Sequence, residues 1–116
     1  MKNRLYILTD KDLDPIYAAV QGGHAVTEWI LENWQINKEG DPKWQWNNDY
    51  LIYLSVDINK WYTKLRRFDP NHFQWAYFKE PDLDNKMTAI AVYENDFPGF
   101  IKHKLKREKL LRVGNK

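Results

Sequence analysis

The 116-residue chain contains no cysteine, so neither a disulfide framework nor a thiolate metal site is available to it. Long apolar runs are missing as well. The opening segment MKNRLYILTD has one short apolar stretch, LYIL, before it turns acidic, too short for a signal-peptide core or a membrane span. No glycine-rich phosphate loop follows that stretch, and no serine sits in a nucleophile elbow. His72 and His103 have no partners at metal-ligand spacing. These absences disfavour metal-dependent and nucleotide-hydrolysing enzymes and predict a soluble, cytoplasmic protein whose chemistry needs no cofactor and no metal.

Basic charge is scarce over most of the chain. Residues 1–100 carry 11 Lys and Arg against 15 Asp and Glu, whereas 101–116 carry seven against Glu108 alone, which hides an uneven distribution behind the net charge of +2. A basic block attracts phosphates through counterion release, which makes Lys102, Lys106 and Arg107 candidates for contact with RNA; the bland alternative is a solvated chain end. The spacing is compatible with a helix over Ile101 to Val113. With 43% hydrophobic and 16% aromatic residues, the chain has enough large side chains for one compact domain, read as residues 1–100 followed by the tail at 101–116.

Local patterns order the elements. The run LYIL is compatible with a buried strand over Arg4 to Thr9. Asp14 is a suitable N-cap and Pro15 suits the first helical position, so a helix is predicted from there to about Trp34. Gly40, Asp41 and Pro42 open a loop in which Trp44 and Trp46 alternate, either as a stacking platform for bases or as side chains packed onto the domain. Tyr50 to Val56 reads as a core strand, and Asp57 as the cap of a helix that buries Ile58, Trp61, Tyr62, Leu65 and Phe68. His72 to Lys79 and Met87 to Tyr93 form two further strands whose short link favours antiparallel pairing. The sum is an α/β fold with a four-stranded mixed sheet, its last strand antiparallel, and helices on its faces.

The stretch YAAVQGGHAVTE is the richest in chemistry. At helical spacing Tyr17, Gln21, His24 and Glu28 share one stripe. Ile16, Val20, Gly23, Thr27, Ile30, Leu31 and Trp34 form the neighbouring stripe and are expected to face the core. Gly22 and Gly23 each cost about 0.5–1 kcal/mol inside a helix, so a sheet or a ligand is expected to approach the backbone there. A neutral imidazole at His24 is suited to general-base chemistry near pH 7, and the Gln21 amide to orienting a substrate or an oxyanion. Glu80 and Asp82, in the link before the last strand, supply carboxylates that reach His24 if that strand pairs beside the first. The alternatives are a packed or surface histidine, a surface glutamine and acids that merely form a turn.

The segment LYILTDKDLDPIYAAVQGGHAV resembles the opening strand, Asp-Leu turn and helix, with an alanine pair, glutamine and histidine, of the type 2 peptidyl-tRNA hydrolase family of archaeal and eukaryotic type. Asp10, Gln21 and His24 fall at the matching positions without a gap. Glu80 through MTAIAV is similar to the family's acidic loop and threonine-led strand, with Thr88 in the threonine position. The likeness covers roughly residues 4–93. It implies a three-layer α/β/α fold and hydrolysis of the ester in peptidyl-tRNA or a related aminoacyl-tRNA, with catalytic residues His24, Gln21, Glu80 and Asp82. Asp10, Tyr17, Thr88, Trp44, Trp46 and the basic tail would bind substrate. Pro15 and Tyr17 stand where the family carries lysines, so the phosphate-facing cation of that turn is missing here. The alternative function is a non-catalytic RNA-binding or protein-interaction module on the same scaffold. The expected partner is tRNA or peptidyl-tRNA, with room for a homodimer.

Overall fold

A computed structural model describes residues 3–37, 46, 49–70 and 72–112. The first apolar run forms strand β1 (Arg4–Asp10), and helix α1 (Pro15–Asn37) follows a short turn. Asp14 caps that helix: its carboxylate accepts from the backbone N–H groups of Ile16 and Tyr17 at 3.2 and 3.4 Å. Strand β2 (Tyr50–Val56) leads into helix α2 (Ile58–Leu65), capped by Asp57, whose side chain accepts from the Lys60 N–H at 3.2 Å. Strands β3 (Trp75–Glu80) and β4 (Lys86–Tyr93) flank a tight turn through Pro81–Leu83. Asp84 and Asn85 complete it at φ of 53° and 59°, a left-handed region that short polar side chains tolerate. Helix α3 (Gly99–Arg107) and strand β5 (Lys109–Leu110) follow.

The strands form one open mixed sheet in the order β3-β4-β1-β2-β5. β1 and β2 are parallel, as expected for a pair joined through a helix, and β4 runs antiparallel to both of its neighbours. Five strands rather than four are present among the described residues. The fifth is a two-residue segment that pairs antiparallel with Leu54 and Ser55 of β2, too short to show any period in the sequence. The helix read over Ile101 to Val113 accordingly spans Gly99–Arg107 and gives way to β5, with Ile101 and Leu105 fully buried.

Two apolar clusters fill the interior. Tyr6 and Leu8 of β1 join α2 and α3 residues such as Trp61, Leu65, Ile101 and Leu105 in one cluster. Leu5 and Ile7 join Ala25 and Trp29 of α1, together with Ala76, Ala89 and Ala91, in the other. Successive side chains of β1 therefore alternate between the two clusters, as the pleat requires. The α1 face that enters its cluster differs from the one expected. Ala18, Gln21, Gly22, Ala25 and Trp29 are buried, whereas Ile16, Val20 and Leu31 are 63%, 54% and 59% exposed. Close approach accompanies the choice: a Cβ on Gly22 would lie 2.4 Å from Tyr53 Cε2 and 2.9 Å from Ile7 Cγ2, so the helix meets the sheet at a position that only glycine leaves open. Gly23 has open space at the same test. No helix among the described residues is long and apolar enough to cross a membrane.

Candidate active site

A register shift creates the site. Phe78 pairs with Ala89 and Lys79 with Met87, which leaves Thr88 as the extra residue of a bulge in β4. The bulge breaks the alternation, so Met87 packs toward the cluster of α2 and α3 while Thr88 turns to α1. Thr88 is fully buried, and its hydroxyl donates to Gln21 Oε1 at 2.6 Å. Gln21, also fully buried, donates from Nε2 to Glu80 Oε1 at 2.8 Å. One amide thereby ties α1 to the end of β3 and the start of β4. An unsatisfied amide at this depth would be costly, and both ends of Gln21 have a partner.

Glu80 gathers further donors. The Asp82 backbone N–H donates to Oε2 at 3.3 Å, and the Tyr17 hydroxyl lies at 3.5 Å from Oε1, the long end of a hydrogen bond. The Gln21 hydrogen bond, and then that of the Asp82 N–H, hold the Glu80 carboxyl below the usual 4.5; burial opposes them, and His24 and Tyr17 add smaller lowering effects. The same charge works in reverse on Tyr17. Burial first, then the negative Glu80 and Asp82, raise the phenol above 10.0 and keep its proton in place. Glu80 is thus a fixed carboxylate and Tyr17 a fixed hydroxyl.

His24 stands one turn beyond Gln21 on α1. Its exposed ring stacks on Phe78, centroids 4.5 Å apart and planes 19° from parallel, which sets the imidazole orientation without taking up a ring nitrogen. Phe78 also lines a cleft of about 440 Å³ between α1 and β3, bordered by Glu28, Glu32, Tyr77 and Lys79. The geometry offers a free imidazole face, a carboxylate in electrostatic reach of it and an adjoining groove.

Asp10 ends β1 and is buried. It accepts from the Asp12 N–H at 3.0 Å and forms an ion pair with Lys86 Nζ at 3.2 Å. Lys86 is opposite Glu80 in the β3–β4 register and two residues before Thr88. Its side chain is 48% exposed, so it brings a cation to the end of the sheet that holds Glu80 and Thr88. Nothing in the sequence singles out Lys86, because no period or spacing connects it to Asp10.

The structure brings together Tyr17, Gln21, Glu80 and Thr88, sets His24 beside them through Phe78, and links Asp10 to the same strand end through Lys86. Asp82 contributes its backbone N–H, and its residue is exposed in the turn. Trp46 does not form a platform: it is 7% exposed, donates from its indole N–H to the Tyr50 carbonyl at 2.8 Å and meets Trp29 edge-on at 5.7 Å, so it belongs to the core. Trp44 lies outside the described residues. Lys102, Lys106 and Arg107 lie on α3, whose buried Ile101 and Leu105 pack in the cluster that excludes α1, and they are not gathered with Gln21 and His24. No protein-family model matches the chain, and a search of curated proteins finds no match.

Proposed function

We propose that the chain is a divergent member of the type 2 peptidyl-tRNA hydrolase family that cleaves the ester between a peptidyl or aminoacyl group and the 3′ ribose of tRNA. The observation that carries this reading is the Thr88–Gln21–Glu80 hydrogen-bond chain beside the stacked His24. A neutral His24 takes a proton from water as the water oxygen attacks the ester carbonyl. Collapse of the tetrahedral intermediate expels the ribose 3′ oxygen, which receives that proton from the imidazolium. Glu80, kept ionised, stabilises the positive imidazolium while it exists, and the Tyr17 hydroxyl, kept protonated, turns from its long contact with Glu80 to donate to the carbonyl oxygen as charge builds there. Gln21, with both ends of its amide in use, acts as a positioning residue for Glu80. Lys86, held by its ion pair with Asp10, presents an ammonium group in place of the cation missing at Pro15 and Tyr17. The three-layer arrangement, with α1 on one face of the sheet and α2 and α3 on the other, belongs to the same reading.

The test is release of peptide from N-blocked aminoacyl-tRNA under multiple turnover. His24→Ala, folded by circular dichroism, is expected to lose about 100- to 10,000-fold in kcat. A folded His24→Ala protein with the wild-type rate would overturn the mechanism. A second reading, a non-catalytic tRNA-binding protein, is favoured by the exposed Lys106 and Arg107 of α3, a helix that packs in the cluster without α1 residues. Salt-sensitive tRNA binding by a wild-type protein that releases no peptide would select it.

A further inference from the structure

Helices α2 and α3 leave a cleft of about 300 Å³ between them, floored by Phe68, Phe100 and Ile101 and rimmed by Lys64, Arg67 and Lys104. No acidic residue lines it. Phe100 is 61% exposed and leans on Phe68 at 6.3 Å and 39°, so a large aromatic face is held open to solvent rather than packed away. Lys64 lies with its ammonium 5.6 Å from the centroid of the Trp61 ring. Among the described residues, none of the three rim cations is in an ion pair.

The cleft continues into a second one of about 330 Å³ that shares Lys64 and Lys104 and adds Arg107 and Glu108. Glu108, whose carboxylate accepts from the Trp61 indole N–H, sets one negative charge against the three cations Lys64, Lys104 and Arg107, so the line stays net positive. An exposed aromatic face flanked by cations that then run on along a groove suits a ligand with a flat apolar group and anionic charges repeated on either side. Single-stranded nucleic acid has this pattern, since every base offers a face for stacking and every linkage a phosphate. We infer that the α2–α3 groove binds single-stranded RNA, one unstacked base lying on Phe100 and the flanking phosphates on Lys64, Arg67 and Lys104.

This site is separate from the Gln21 and His24 region and goes beyond the hydrolytic reading. Its test is read on an oligomer that carries no ester, so failure of either idea leaves the other intact. Fluorescence anisotropy with 5′-labelled hexaadenylate RNA, at several salt concentrations, measures affinity and its salt slope. Phe100→Leu, an exposed substitution that keeps apolarity but removes the ring, is expected to weaken binding about tenfold at unchanged slope. Phe100→Trp retains wild-type affinity. Arg67→Gln and Lys104→Gln each lower the magnitude of the log–log slope by about 0.7, the single-strand value for one phosphate contact. Wild-type binding by Phe100→Leu overturns the proposal, as does displacement of the RNA by hexaglutamate as effective as that by unlabelled hexaadenylate, which would mark a general anion or acidic-peptide surface. Unchanged salt slopes in both cation variants overturn it as well.

Discussion

Helices α1 and α3 invert each other's design. α1 carries no lysine or arginine and buries polar Gln21 together with Ala18, Gly22, Ala25 and Trp29. α3 carries no acidic residue, buries Ile101 and Leu105, and turns Lys104, Lys106 and Arg107 outward. A buried amide has to find partners of fixed geometry, so α1 is tied to Thr88 and Glu80 by directional bonds. Exposed ammonium groups require only water, so α3 attaches through shapeless apolar contact and leaves its charge free for any phosphate. On the readings proposed above, geometry-dependent chemistry would belong to α1 and charge-dependent binding to α3.

The largest way to break this contrast is to weaken α3's attachment. Leu105→Ala is expected to cost about 2–5 kcal/mol in urea unfolding, because Leu105 is fully buried and the cavity has little means to collapse. A cost under about 0.5 kcal/mol, typical of surface sites, would show that α3 is a loosely attached tail. Next comes a paired test within α1. Gly22→Ala is expected to destabilise by about 1–3 kcal/mol through collision with Tyr53 and Ile7, while Gly23→Ala, in open space, gains up to about 1 kcal/mol of helix propensity. Equal effects at the two glycines would mean that the helix does not approach the sheet through Gly22.

The smallest effect sharpens the electrostatic side. A carboxyl held below its ordinary value of 4.5 is protonated first in the unfolded chain. Glu80 therefore adds stability that is present above about pH 4.5 and is lost as the pH falls through its lower folded value. Glu80→Gln should flatten the acid limb of the stability–pH curve and leave the neutral region less changed in shape. An unaltered acid limb would remove Glu80 from the set of carboxylates stabilised by folding.

The elements that the residues announced are those with local causes. Asp14, Pro15 and Asp57 mark helix starts through hydrogen bonds made within one turn, and Tyr50–Val56 is continuous enough to define its own strand. Gln21, Glu80 and Thr88 were legible as candidates from their chemistry and from the resemblance, but not as a chain of contacts. Thr88 reaches Gln21 because a bulge shifts β4, and nothing in KMTAIAV signals which residue is extra. The sequence allows Trp46 either a stacking or a packing role, and the indole contacts with Tyr50 and Trp29 place it in the core.

By itself the sequence determined the order of the main helices and strands, the capped starts of α1 and α2, the uneven charge and the presence of an imidazole, an amide and a carboxylate as candidate site groups. Tertiary structure decided which face of α1 is buried, that β5 exists, that Thr88 faces Gln21 and that Lys86 meets Asp10. The division has a physical reason. Caps and periodicities act within a few residues and leave their mark in the local composition. Helix-to-sheet approach, strand register and ion pairing between distant segments depend on shapes that exist only once the sheet has formed.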